Sequence, residues 1–200
     1  MNDTIRKALG IGIVEGERLL HAKLSKLGNI VNGWDIVGMT SNGSNVKFEI
    51  GSCGTDYLLR AAIAKNGIWP NSPEESFYAS ASTDIRSQNL TGSHKYLIHF
   101  DKDQIPPVKA FWSLTLYNAT GYLVDNPINR YSIGDRTPGI KHNQEGSLDI
   151  YIQHDNPGKD KESNWLPSST GHFAMILRLY NPQEQVLKGE YQYPPIKPHQ

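Results

Sequence analysis

Two hundred residues suit one domain with a substantial core, and two domains of ordinary size would be cramped. Hydrophobic residues at 38% and charged residues at 20% fit a globular chain, and twenty basic side chains cancel twenty acidic ones. That balance excludes recruitment of nucleic acid or an anionic membrane by net charge, and no apolar run reaches the ~20 residues of a membrane helix. Cys53 is the single cysteine, so no intrachain disulfide forms. A reducing cytosol fits best, with a periplasmic or secreted location left open.

Residues 1–31 are expected to form an N-terminal amphipathic helix, and residues 32–200 a separate β-domain. Ile5, Leu9, Ile13, Leu20, Leu24, Leu27 and Val31 recur at spacings of three and four or their sums. Asp3 and Thr4 can cap the start. Gly10, Gly12 and Gly16 weaken this helix; no strand precedes them and the third comes one position late, so they are not a dinucleotide loop. The apolar stripe is more than a small domain may cover, so a second copy could pair with it. Asn32-Gly33-Trp34 ends the helix.

Val46–Ile50 alternates as a short strand, and a second helix starts at Thr55 and stops at Asn66-Gly67. Asp56 and Arg60 are spaced to pair on its surface. From residue 77 the chain reads as β: 77–83, 96–100, 111–117, 130–133, 148–153 and 173–180, with turn signals between. Asn181-Pro182 is expected to open a last short helix, 183–188, and the proline-rich tail is unsuited to a sheet centre. Many short strands with regular turns predict a mainly β fold: an antiparallel sandwich of jelly-roll type, with the long N-terminal helix and one or two short ones.

Five blocks carry a resemblance to a known family: Gly54-Thr55-Asp56-Tyr57-Leu58-Leu59-Arg60, Phe111-Trp112-Ser113-Leu114-Thr115-Leu116-Tyr117, Asn129-Arg130-Tyr131-Ser132-Ile133-Gly134-Asp135-Arg136-Thr137, Ile150-Tyr151-Ile152-Gln153-His154, and Lys159-Asp160-Lys161-Glu162-Ser163-Asn164-Trp165-Leu166-Pro167. From Asn32 onward the chain resembles the bacterial domain-of-unknown-function family number 1214. The resemblance implies a jelly-roll sandwich, often preceded by a companion domain that is not legible here; a stand-alone form, a fragment, and a companion on another chain all stay open. It implies no activity and no catalytic residue.

No phosphate loop, no Gly-x-Ser-x-Gly elbow and no metal-ligand spacing of the histidines is present, so neither a metal nor a cofactor is expected. The segment 129–137 is the most informative. Arg130 and Arg136 offer rigid forks for an anion beside Tyr131 and Asp135, although Asp-Arg-Thr-Pro is also ordinary turn chemistry that could pin a loop to the sandwich. The leading expectation is a cleft lined by Tyr117, Tyr131, Tyr151, Trp165, Arg130 and Arg136 that holds a small polar or anionic ligand, a carbohydrate among them. Trp165 either anchors the long 155–169 loop or stacks on that ligand. The alternatives are an assembly module working through the N-terminal helix, and a metal-independent hydrolase or lyase using Asp135, Asp84 or His94 as acid or base.

Overall fold

The computed structural model describes residues 2–24, 28–37, 55–67 and 71–199. In chain order the elements are α1 (Asp3–Leu24), β1 (Gly28–Val31), β2 (Trp34–Val37), α2 (Tyr57–Gly67), β3 (Ser76–Ala81), β4 (Lys95–Phe100), β5 (Val108–Asn118), β6 (Ser132–Gly134), β7 (Leu148–Gln153), β8 (Trp165–Pro167), β9 (Phe173–Pro182), α3 (Glu184–Leu187) and β10 (Ile196–His199). They build a β-sandwich. The larger sheet runs β1-β2-β3-β9-β5-β6 and the smaller runs β10-β4-β7-β8. Every pairing is antiparallel except β7 with β8.

Alternation along the strands makes the core. Trp112, Leu114 and Leu116 of β5 point inward beside Met175, Leu177 and Leu179 of β9, and they meet Ile98, Phe100, Ile150 and Ile152 of the smaller sheet. Each fully buried aliphatic or aromatic side chain contributes about 1.5–3 kcal/mol, so this double layer dominates stability.

The helix of residues 1–31 is shorter than its periodicity predicts. It ends at Leu24, and Gly28–Val31 is a strand. Asn32 and Gly33 have φ of 55° and 93°, the left-handed pair of a two-residue hairpin turn, and they fold β1 onto β2. The start is capped by Asn2, whose Oδ1 accepts the Ile5 N–H at 2.9 Å, in place of Asp3 or Thr4. Asp56 caps α2 through the Leu59 N–H at 2.9 Å and pairs with Lys23 of α1 at 3.1 Å, not with Arg60. Asn181-Pro182 belongs to β9, and α3 is preceded by Gln183. The tail supplies β10, an edge strand, the place in a sheet that tolerates Pro198. The expected strand 46–50 and Cys53 lie outside the described residues. Among the described residues no helix is long and apolar enough to cross a membrane.

Candidate functional site

The face of the larger sheet that points away from the core is polar and aromatic. Strand register sets its rows. Tyr78 of β3, Arg178 of β9 and Ser113 of β5 lie side by side; the next row is Ser80, Ile176 and Thr115, and Tyr117 follows opposite Ala174. Directly opposite outward residues on adjacent strands sit about 4.5–5.5 Å apart at Cβ, so Tyr78 and Ser113 flank Arg178 on either side. Arg178 is half-buried. Its Nη2 donates to the Tyr117 hydroxyl at 2.8 Å, and its guanidinium lies 5.7 Å from that ring's centroid. Among the described residues no carboxylate forms an ion pair with it. Asp35, an acidic side chain on this face, lies two strands from Arg178, and burial raises its pKa. At the far end of β5, Phe111 stacks on Tyr180 with centroids 4.2 Å apart and planes at 19°, and the Arg136 guanidinium covers Phe111 at 4.1 Å.

The residues expected to line one cleft are distributed over several surfaces. Tyr117 and Arg136 share the face just described but sit at opposite ends of β5. Arg136 donates to the Ala110 carbonyl at 3.3 Å. Arg130 turns the other way. Its Nη1 donates to the carbonyls of Glu162 at 2.7 Å, Ser163 at 3.2 Å and Trp165 at 2.8 Å, clamping the segment ahead of β6 to the edge of the smaller sheet. Burial lowers the Arg130 pKa, opposed by the nearby Glu162 carboxylate. Its Nη1 is spent on backbone. Tyr131 is half-buried beside β6, with its carbonyl accepting the Leu116 N–H at 3.3 Å. Tyr151 lies on the outer face of the smaller sheet, with Lys161 Nζ 4.8 Å from its ring centroid.

Trp165 cannot serve as a stacking platform. It is 0% exposed, and its Nε1 donates to the Gln153 carbonyl at 2.9 Å. The loop it ends is pinned as well. Asn164 donates to the carbonyls of Lys141 and Asp149 at 2.7 and 2.8 Å and accepts from the Lys141 N–H at 2.9 Å.

The three acid–base candidates do not converge. Asp135 accepts the Trp112 N–H at 3.0 Å and ion-pairs with neither Arg130 nor Arg136 among the described contacts. Asp84 is 4% exposed and accepts the N–H groups of Arg86 and Gln88 at 2.8 and 2.9 Å, which is turn chemistry. His94 is exposed ahead of β4, against Ser93 at 3.3 Å.

Residues 75–184 match the family described as "Protein of unknown function (DUF1214)". The chain belongs to this family. Its matched region contains β3, β5 and β9, hence every residue around Arg178, while α1, β1, β2 and β10 of this DUF1214 chain lie outside it. The chain is also similar to the crystal structure of the VPA0106 protein from Vibrio parahaemolyticus, at 27% identity and a TM-score of 0.67. That match covers 100% of this chain and 46% of the Vibrio protein, so the chain spans less than half of that relative's length. An uncharacterised protein from Burkholderia cenocepacia matches at 15% identity and a TM-score of 0.47, over 65% of this chain and 31% of that one. No curated protein matches.

One constellation escapes sequence reasoning. His99 and Asp149 are cross-strand partners on β4 and β7, with Nδ1 2.6 Å from Asp149 Oδ1, and His99 Nε2 lies 3.2 Å from Asp101 Oδ1. Asn143 donates to Asp149 Oδ2 at 3.2 Å. The hydrogen bond and charge of Asp149, with Asp101 adding to both, raise the His99 pKa against its partial burial. Fifty residues separate the pair, and only the register of β4 on β7 joins them.

Proposed function

We propose that this DUF1214 chain binds a small ligand through an oxyanion, a carboxylate or a phosphate, on the outer face of its larger sheet, with Arg178 as the anchor. The observation that carries this reading is a half-buried guanidinium with hydroxyl neighbours and no carboxylate ion pair among the described residues. A charge withdrawn from water is ordinarily paired. The Arg fork matches an oxyanion with two parallel N–H donors, and Tyr117, Tyr78, Ser113 and Thr115 surround it with hydroxyls that can donate to the remaining oxygens. Tyr117 already accepts from Arg178, which leaves its own O–H proton to give. The stacked Phe111–Tyr180 pair, farther along the same face, offers an apolar wall for the ligand's body.

The test is a thermal-shift titration with inorganic phosphate and with citrate, at ionic strength held constant with chloride. A ligand at ~100 times its dissociation constant stabilises the fold by about 2.7 kcal/mol. One of the two anions is expected to raise the melting temperature, Arg178→Gln to abolish the shift, and Tyr117→Phe to weaken it. His99→Asn, on the opposite sheet, is expected to leave it intact. A shift that survives Arg178→Gln, or no response to either anion, ends this reading.

A further inference from the structure

We infer that two copies of this chain pair through α1 as antiparallel helices, related by a two-fold axis that passes between Gly12 and Ile13. The helix is 22 residues long, about 33 Å, and none of its residues is buried. Only Leu20, Lys23 and Leu24 are half-buried, at the end where α2 packs. Residues 3–19 are exposed, with Leu9 at 54% and Ile13 at 72%. A soluble surface seldom leaves so continuous an apolar stripe uncovered.

The stripe itself specifies the occupant. Ile5, Leu9, Gly12, Ile13, Gly16 and Leu20 fall on one side of the helix at 100° per residue. Among the described residues a side chain at Gly12 or Gly16 would meet nothing within 4 Å, so none of them uses the room these glycines leave, although glycine weakens a helix interior. In the antiparallel arrangement the central large residues each meet a small one, Leu9 facing Gly16 of the second copy and Ile13 facing Gly12, while Ile5 and Leu20 meet as an apolar pair at either end. Charge follows the same two-fold. Arg6 and Glu17 lie on one flank of the stripe. Arg6 has no ion pair among the described residues, and Glu17 has only His21 at 3.8 Å. The arrangement brings Arg6 of each copy within about one turn of Glu17 of the other, giving two reciprocal pairs. A parallel pair would instead set glycine against glycine and put Arg6 of one copy and Glu17 of the other on opposite sides of the seam, out of reach of each other.

Light scattering across a concentration series reads the mass, and disulfide trapping reads the register. The 22.4 kDa chain is expected to double in mass. In a Cys53→Ser background, Leu9→Cys mixed with Gly16→Cys is expected to cross-link, while neither variant cross-links with itself. Gly12→Ala with Gly16→Ala is expected to raise helix content by circular dichroism while weakening the dimer at least tenfold; glycines without a pairing role would give the first effect alone. A monomer up to about 1 mM, where even a weak dimer would form, overturns the proposal. So does a Leu9→Cys variant that cross-links with itself as readily as with Gly16→Cys.

Discussion

His99 shows how much a single cross-strand contact sets in this fold. Asp149 and Asp101 hold its two ring nitrogens, and both favour the imidazolium over the neutral ring. A histidine whose folded pKa is raised adds stability that is fully present below its unfolded value, about 6.5, and that is lost as pH rises through the folded value. The expected outcome is a melting temperature that falls as pH rises above about 6.5. In His99→Asn that component of the fall disappears, and in Asp149→Asn it shrinks. Melts of the three proteins at matched ionic strength check it, and an unchanged pH profile in His99→Asn removes the pair from the account. The same scale explains why Arg130 and Arg178 differ so much in chemical availability. One donates to three backbone carbonyls, and among the described residues the other donates to a phenolic oxygen. Both are Arg on a chain rich in Tyr, and nothing local to either residue tells them apart. The difference comes from what the sheet register delivers to each guanidinium.

Among the elements, those with strong alternation were legible: β7 has the bounds its pattern predicts, and β5 and β9 extend only a little beyond theirs. The elements that were missed are short or carry mixed signals. β8 is three residues ending in Pro167, and its parallel partner β7 lies across a loop, so no periodicity marks it. β1 carries both signals: Leu24, Leu27 and Val31 continue the helical spacing, while β-branched Ile30 and Val31 and the Asn32-Gly33 dipeptide favour a hairpin. That turn makes a specific demand. Gly33 has φ of 93°, and a Cβ there would lie 2.7 Å from the Thr83 carbonyl oxygen and 3.2 Å from the Asp84 carbonyl carbon, both backbone atoms. Gly33→Ala is expected to destabilise by about 2 kcal/mol or more, from the left-handed backbone together with the clash. Urea denaturation measures it. A loss below about 0.5 kcal/mol would mean that the hairpin relaxes away from the 83–84 segment.

At the scale of the whole molecule, the two sheets are tied along two sides. On one side Arg130 bridges from the segment ahead of β6 to the smaller sheet's β8 edge. On the other the tail does the work: Trp34 Nε1 donates to the Pro194 carbonyl at 2.7 Å, Asn32 Nδ2 donates to the Tyr193 carbonyl at 2.8 Å, and Ile196–His199 then pairs with β4 in the opposite sheet. The tail therefore belongs to the core although it lies beyond residue 184, where the family match ends. Tyr191, Tyr193 and Ile196 are 5%, 3% and 0% exposed. At about 1.5–3 kcal/mol for each buried side chain, removing them costs on the order of 5 kcal/mol or more, comparable with the total stability of about 5–15 kcal/mol for an ordinary domain. A chain ending at Gly189 is expected to lose its cooperative thermal transition, whereas one ending at Ile196 keeps a transition with a lowered midpoint. If the chain ending at Gly189 melts cooperatively at an unchanged temperature, the tail lies on the sandwich without holding it, and Arg130 and the shared core suffice to join the sheets.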